Sequence, residues 1–265
     1  MKIVGIGASA GGVEAICAFF EQLPDDTGAS YVIIQHLSPD FKSMMDELLS
    51  SHTQMPVTVV RQRTRMEPNH IYLMPGDKNM TIKNGELVLE ERRDPQQLNL
   101  PIDHFFHSLG NDLDQEAIAV VLSGSGTDGS RGVRTIKEKG GLVLVQDPTS
   151  AKFDGMPQAA IELKIADSIL KPGKLADELA RLLERATAVD GHLTDLPSQQ
   201  MGESFYFERI LDLASDLSGI DFRDYRETTL TRRIEKRMLL RNCRQLEDYH
   251  QLLQEEQEEA STLYE

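Results

Sequence analysis

The amino-acid sequence predicts an α/β protein: a doubly wound, mostly parallel sheet with an antiparallel hairpin excursion, plus a small all-helical C-terminal module. Over residues 1–188, short β-branched runs alternate with amphipathic helical stretches, whereas beyond residue 203 apolar residues recur only at helical spacing. Continuous apolar strands that alternate with helices are typical of a parallel sheet covered on both faces. We therefore expect an α/β domain at 1–188, a linker at 189–203 and a helical domain at 204–265.

Each predicted element of the α/β domain follows from its apolar pattern. Continuous branched apolar runs predict the strands Ile3–Ile6, Tyr31–Gln35, Ile118–Leu122 and Leu142–Gln146. Apolar residues three and four positions apart predict the helices Gly12–Leu23, Met44–His52, Ile102–Leu113, Ser130–Lys139 and Lys174–Ala186. Strands and helices thus alternate, as a doubly wound sheet requires.

One segment interrupts this alternation. His70–Met74, Met80–Ile82 and Leu87–Glu91 look like strands, and Asn84-Gly85 stands between the last two. Because Asn-Gly between alternating residues is a strong signal for a two-residue hairpin turn, we expect an antiparallel excursion on one edge of the parallel sheet.

The C-terminal part has a different pattern. Residues 189–203 contain Asp190-Gly191 and Pro197 with little periodicity, which is typical of a linker. Helical spacing then predicts three helices, at Phe205–Leu217, Leu230–Asn242 and Leu246–Tyr264.

Charge and composition exclude several classes of protein. The chain has 28 Lys and Arg against 43 Asp and Glu, a net charge of −15, so nucleic-acid binding through its surface is disfavoured. No apolar run approaches the roughly 18 residues that a membrane span needs. Two cysteines are too few for a disulfide framework, and no secretory leader precedes the first strand. We expect a cytoplasmic protein that binds no nucleic acid and does not insert into a membrane.

A glycine-rich turn follows the first predicted strand and satisfies two motifs at once. Gly5, Gly7 and Ala10 match G-x-G-x-x-A, a dinucleotide fingerprint, whereas Gly7, Ser9 and Gly11 match G-x-S-x-G, a nucleophile elbow. The second strand discriminates between them, because a dinucleotide site needs an acidic residue at its end to hold the ribose. That position holds Gln35-His36.

An imidazole is the base that a serine nucleophile requires, so His36 favours a hydrolase. Asp128, in the loop after the Ile118–Leu122 strand, is expected at the same sheet edge, where it would orient the ring. In that arrangement we expect His36 Nε2 to face Ser9 Oγ. Simpler roles stay open: Ser9 as a helix N-cap, His36 as a strand-end histidine, and Asp128 as a cap for the helix that begins near Ser130.

These residues carry a family resemblance. Gly7–Gly12, Val32–His36 and Leu122–Gly129 together resemble the chemotaxis protein-glutamate methylesterase family, CheB. Three further stretches look like that family's later motifs: Pro101-Ile102-Asp103, Gln146-Asp147-Pro148 and Phe153–Pro157 with Ala159–Ile161.

The resemblance implies hydrolysis of glutamate methyl esters on chemotaxis receptors, with release of methanol and, in some members, deamidation of receptor glutamines. It implies Ser9 as the nucleophile, His36 as general base and acid, and Asp128 as the orienting carboxylate. The backbone N–H groups of Ala10 and Ser125 would form the oxyanion hole. No cofactor is implied.

The residues after the linker resemble the N-terminal helical domain of the chemotaxis methyltransferase family, CheR. Ser218–Phe222, Tyr225 and Thr229–Met238 carry this likeness. Because no S-adenosylmethionine-binding domain follows, we expect no methyltransferase activity from this chain alone. No receiver domain precedes the catalytic part, so control by phosphorylation of a linked receiver is not expected.

The helical module also has a basic face, and two interpretations of it stay open. Residues 226–244 hold seven basic and two acidic residues, and residues 245–265 hold seven acidic residues and neither Lys nor Arg. The face serves either to dock on an acidic receptor helix or as a solvated surface that the following acidic helix neutralises. Its docking candidates are Arg226, Arg233, Arg237 and Arg241.

Two further functional classes remain as alternatives to the esterase: a non-catalytic receptor-binding adaptor and a dinucleotide-binding oxidoreductase. A metal site is not expected, since His104 and His107 lack a second cluster of ligands.

Overall fold

The computed structural model forms two compact units, Met1–Leu183 and Glu184–Glu265. The residues that it describes are 1–36, 45–92, 99–192, 206–207, 209–215, 227–243, 245–256, 259 and 262–263, with the side chains of 185–192 and 227–229 left out.

The first unit contains ten strands among its described residues. They are β1 Ile3–Ala8, β2 Ser30–Gln35, β3 Val57–Val59, β4 Thr64–Arg65, β5 His70–Leu73, β6 Lys78–Lys83, β7 Glu86–Glu91, β8 Ala117–Val121, β9 Leu142–Gln146 and β10 Ser168–Leu170. Its helices are α1 Gly12–Phe20, α2 Met45–Leu49, α3 Pro101–Leu113, α4 Ser130–Glu138, α5 Gly155–Ile161 and α6 Pro172–His192, the last of which continues into the second unit. Two 3₁₀ turns lie at Asp114–Glu116 and Pro148–Ser150.

Seven strands form one parallel sheet in the order β10-β9-β8-β1-β2-β5-β3. The chain begins in the middle, at β1, and then builds outward first on one side through β2 and later on the other through β8. The end of β1 is therefore the switch point of the sheet, where doubly wound folds place their ligands. The predicted fold class is confirmed.

Helix α3 packs unusually close to the central strand. A Cβ atom on Gly7 of β1 would lie 2.5 Å from Cγ2 of Ile102, in the first turn of α3. Phe105, Phe106 and Leu109 of the same helix are fully buried in the core. The absence of a side chain at Gly7 thus brings the N-terminus of α3 to the carboxyl end of β1, next to the switch point.

The structure corrects the position of the antiparallel segment. His70–Leu73 is not part of the excursion: as β5 it pairs in parallel with β2 and β3 inside the main sheet, which explains its buried apolar run. The hairpin itself is β6–β7, with Asn84 and Gly85 at φ of 53° and 72°, as a two-residue turn requires. Together with β4 it forms a separate three-stranded sheet rather than an extension of the parallel one.

The described secondary structure of the second unit is helical. Residues 206–207 and 209–215 are helical, followed by α7 Glu227–Arg241 and α8 Leu246–Glu255. Ile210, Ile234 and Tyr249 are among the buried residues of its own core. Helix α6 extends to His192, beyond the predicted start of the linker at residue 189. Among the described residues, no helix combines the length and the apolar character that crossing a membrane requires.

Candidate active site

The turn after β1 presents Ser9 at the carboxyl edge of the sheet. Gly11 has φ of 68°, and the N–H of Gly12 donates to the carbonyl of Ser9 at 2.9 Å, so the chain reverses within three residues before α1 begins. A Cβ atom on Gly12 would lie 2.7 Å from that of Ala8, which explains the glycine there. This strand–turn–helix geometry is that of a nucleophile elbow.

His36 is the residue that directly follows β2, the neighbour of β1. Its Nδ1 lies 3.0 Å from Ser9 Oγ, and its Nε2 lies 2.9 Å from Asp128 Oδ2. The imidazole side chain is 32% exposed, whereas that of Asp128 is 2% exposed. The structure therefore brings the three predicted residues into one hydrogen-bonded chain that is open to solvent at its serine end.

The orientation of the imidazole differs from the expectation, because Nδ1 rather than Nε2 faces the serine. The sheet order explains this difference. Ser9 follows β1, the strand beside His36, so it meets the ring nitrogen nearer the backbone, while Asp128 follows β8, one strand further away. A proton on Nε2 is donated to Asp128, and Nδ1 is left free to accept the proton of the Ser9 hydroxyl.

Asp128 is held by the N-terminus of α3. Its Oδ2 accepts a hydrogen bond from the N–H of Ile102 at 3.0 Å, and its Oδ1 accepts one from the N–H of Asp103 at 2.8 Å. A helix N-terminus stabilises an anion through its free N–H groups and its dipole. Each carboxylate oxygen thus has a backbone donor, and Oδ2 is directed at His36.

Asp103 makes the same kind of contact with the N-terminus of α4. Its Oδ1 accepts from the N–H groups of Arg131 and Gly132, both at 2.9 Å, in the first turn of α4. Burial raises the pKa of Asp103, and the nearby charge of Asp128 adds to this shift. The Asp128 carboxylate therefore links its loop to the start of α3, and the Asp103 carboxylate links the start of α3 to that of α4, a role that sequence reasoning missed.

The simpler roles for the three residues do not fit the geometry. The N-cap residue of α1 is Gly11 and that of α4 is Gly129, so neither Ser9 nor Asp128 is the N-cap of the helix that follows it. Ser9 instead bonds His36, and Asp128 binds a different helix, α3. At the end of β2, where a dinucleotide site needs an acidic side chain, the structure has an imidazole bonded to Ser9 and Asp128.

The oxyanion-hole candidates come from two different loops. Ala10 follows Ser9 within the turn, and Ser125 is exposed in the loop after β8. A Cβ atom on Gly124 would lie 3.0 Å from the Cβ of Ser9, so this loop passes directly against the nucleophile. The roles of Ala10 and Ser125 stay predictions.

Ser123 connects the loops around the site and is a second residue that sequence reasoning missed. Its carbonyl accepts the N–H of Ser9 at 3.0 Å, and its N–H donates to Oε1 of Gln146 at 2.8 Å. Its buried hydroxyl lies 3.0 Å from the carbonyl oxygen of Ala10 and 3.2 Å from that of Phe153, and accepts the N–H of Phe153 at 3.1 Å. The sequence showed only one serine among several in a glycine-rich loop.

We expect Ser123→Ala to lower kcat by up to about a hundredfold with little change in KM, because a shift of about 1 Å in a catalytic group can have this effect. Removing the hydroxyl also takes away the acceptor of the Phe153 N–H and the donor near the Ala10 carbonyl, at about 1–3 kcal/mol of unfolding free energy. Ser123→Thr, which keeps the hydroxyl, should recover most of the rate. The measurements are steady-state kinetics on a small ester and thermal unfolding; wild-type kcat in Ser123→Ala would contradict the role.

The basic residues of the helical module are partly neutralised within it. Arg237 is paired with both carboxylate oxygens of Glu259, whose side chain is 3% exposed, and Tyr249 donates to the same carboxylate at 3.0 Å. Arg241 is paired with Glu256 and also lies 3.4 Å from Glu259. These contacts support neutralisation by the following acidic segment rather than docking.

The structure gives less information on the other two docking candidates, Arg233 and Arg226. Arg233 is exposed on α7, where it has contacts of its own, and Arg226 lies outside the described residues.

The fold and this arrangement define a doubly wound α/β protein with a Ser–His–Asp constellation at its switch point, the geometry of a serine hydrolase. The model of the CheB methylesterase family matches residues 4–179. The chain therefore belongs to the CheB methylesterase family. A second model, described as the CheR methyltransferase all-alpha domain, matches residues 206–265.

Similar proteins agree with this assignment. A Pseudomonas aeruginosa protein named protein-glutamate methylesterase/protein-glutamine glutaminase 3 is 35% identical over 185 residues, 69% of this chain and 55% of that protein. An uncharacterized 104.1 kDa protein of Rhodobacter capsulatus is 34% identical over 237 residues, 83% of this chain but 25% of that protein. The crystal structure of the Thermotoga maritima CheB methylesterase catalytic domain matches 68% of this chain and 98% of its own, with 29% identity and a TM-score of 0.63.

This chain spans only part of the length of those two relatives, about half of the first and a quarter of the second.

Proposed function

We propose that this chain is a serine esterase that hydrolyses the γ-methyl esters of glutamate residues on a chemotaxis receptor. The observation that carries the proposal is the hydrogen-bonded chain from Ser9 Oγ through His36 to the buried Asp128. Family membership supports the substrate class, because curated relatives bear the name protein-glutamate methylesterase.

The reaction proceeds in two halves. Ser9 Oγ attacks the ester carbonyl while His36 Nδ1 takes its proton, and the collapsing tetrahedral intermediate expels methanol, which receives that proton from the imidazolium. A water molecule then gives a proton to His36 and attacks the glutamyl ester of Ser9. The second intermediate collapses to a glutamic acid carboxyl group as His36 returns its proton to Ser9 Oγ, and the acid then ionises in water to the carboxylate.

Asp128 stabilises the imidazolium that forms in each half. Its two backbone hydrogen bonds to α3 hold the carboxylate in place during the reaction, so no reorganisation is needed when the charge on His36 appears. The N–H groups of Ala10 and Ser125 are the proposed donors to the oxyanion.

The same steps apply to a glutamine side chain, with ammonia in place of methanol as the leaving group. The names of the relatives include protein-glutamine glutaminase, and we extend the proposal to this second activity. The proposed partner is a methyl-accepting chemotaxis receptor or a similar methylated signalling protein, and the proposed location of the reaction is the cytoplasm.

The test is methanol release from a receptor fragment that carries methylated glutamates. With the purified chain, we expect one methanol for each ester that mass spectrometry shows to be lost. The controls are the unmethylated fragment and the chain unfolded by heat. If the chain binds the fragment but releases no more methanol than the heat-unfolded control, the esterase is overturned and the adaptor is favoured. Tight binding of a nicotinamide dinucleotide in a fluorescence titration would favour the oxidoreductase.

A further inference from the structure

Phe153 is an exposed aromatic residue in the loop between β9 and α5. Its side chain is 45% exposed, and in the described part of the chain it is the one aromatic residue among the large apolar side chains left exposed, the others being Met1, Leu48 and Ile169. A single exposed apolar side chain is ordinary on a protein surface. Phe153 differs from the other exposed apolar residues in that its backbone is held by hydrogen bonds next to the candidate active site.

The backbone of Phe153 is fixed on both sides. Its N–H donates to Ser123 Oγ at 3.1 Å, and its carbonyl accepts from the N–H of Gly124 at 3.0 Å and lies 3.2 Å from Ser123 Oγ. The neighbouring loop is equally confined, since a Cβ atom on Gly155 would lie 2.9 Å from the N of Gly126. The phenyl group therefore extends from a fixed backbone, so little backbone conformational entropy is lost when a partner covers it.

The backbone that holds Phe153 also borders the candidate active site. Gly124, which bonds Phe153, approaches Ser9 so closely that an added Cβ would lie 3.0 Å from the serine Cβ. On the other side, Lys152 packs on the nucleophile turn, with its Cβ 2.7 Å from where Gly11 would carry one. Phe153 thus stands next to both loops that border the nucleophile.

We propose that Phe153 is a specificity-determining residue, which binds the apolar surface of the receptor segment around the methylated glutamate. The inference rests on the proposed function. Loss of this contact should weaken recognition of a macromolecular substrate more than turnover of a small ester, which does not reach beyond the serine.

The expected effect follows from the size of the contact. Covering the exposed half of a phenyl group corresponds to about a tenfold change in binding. The quantity to measure is the ratio of two kcat/KM values, that for a methylated receptor fragment divided by that for a blocked glutamate γ-methyl ester. We expect Phe153→Ala to lower this ratio by about tenfold, mainly because KM for the fragment rises. Phe153→Leu, which keeps most of the apolar area, should restore most of the ratio.

Ile169→Ala is the matched control. Ile169 is 44% exposed, close to the value for Phe153, but it lies on the edge strand β10, three strands from β1. This variant should keep the wild-type ratio, and thermal unfolding verifies that all variants are folded.

The outcomes separate this inference from the function on which it rests. A wild-type ratio in Phe153→Ala, or an equal fall in Ile169→Ala, overturns the role of Phe153 and leaves the esterase in place. If the wild-type chain releases no methanol from the fragment, the proposed function is overturned and the role of Phe153 with it.

Discussion

Replacing Ser9 with alanine is expected to reduce methanol release to the background, a loss on the order of a millionfold as for the nucleophile of other serine hydrolases. The hydroxyl bonds His36, whereas the position of the turn depends on the backbone, through the N–H of Ser9 and the carbonyl of Ser123. An alanine keeps that backbone bond, so the fold should be unaffected. The measurements are methanol release from the methylated fragment and thermal unfolding of the variant.

Ser51→Ala provides the matched control for this prediction. It removes the same atom from an exposed serine just after α2, whose hydroxyl donates to the carbonyl of Leu48 at 2.6 Å. Methanol release should match that of the wild type. Full activity in Ser9→Ala would show that another residue is the nucleophile.

Asp128→Asn is expected to lower kcat by about four decades, the effect of this change in a serine protease. The structure gives the reason. Asp128 accepts from three donors, the N–H groups of Ile102 and Asp103 and Nε2 of His36, and an amide has only one oxygen. Its NH₂ group must therefore face a backbone N–H at the start of α3, and in the place of Oδ2 it also faces the imidazole, which would then change its tautomer. An unsatisfied donor at α3 should also lower the unfolding free energy by about 1–3 kcal/mol.

Asp103→Asn makes the same chemical change at a carboxylate that binds the start of α4 instead of the start of α3. Both of the bonds from Arg131 and Gly132 end on Oδ1, which an asparagine retains. Asp103 does not contact His36 through its side chain, so we expect kcat within about threefold of the wild type. Similar losses in the two variants, by steady-state kinetics on one ester, would mean that Asp128 acts through the fold alone and not through His36.

The residues of the candidate site could be predicted because they follow strands of one parallel sheet. Ser9, His36 and Asp128 come after three apolar runs, and the carboxyl ends of neighbouring parallel strands meet at one edge. Gly11 and Gly129 marked the turns that lead into α1 and α4. Their pattern also predicted the family, which the comparisons confirmed.

Other features depend on contacts between distant segments, which a pattern does not contain. Ser123 and Asp103 belong to the motifs that carry the family resemblance, yet their roles arise only where the loops after β1, β8 and β9 and the ends of α3 and α4 meet. The basic face of the helical module gave two interpretations for the same reason. Its charges identify Arg237 as basic, but only the folded unit places Glu259 beside it.

The local sequence by itself determined the strands of the parallel sheet and the three side chains at its carboxyl edge, because the apolar period of each segment sets which residues are buried and where each strand ends. Tertiary structure decided which atoms meet. Asp128 binds α3 rather than its own helix, and His36 presents Nδ1 to Ser9, because the order of the strands sets the distance from His36 to each partner. That order arises from packing between segments far apart in the chain, as in the bond from Ser123 to Ala10, which are 113 residues apart.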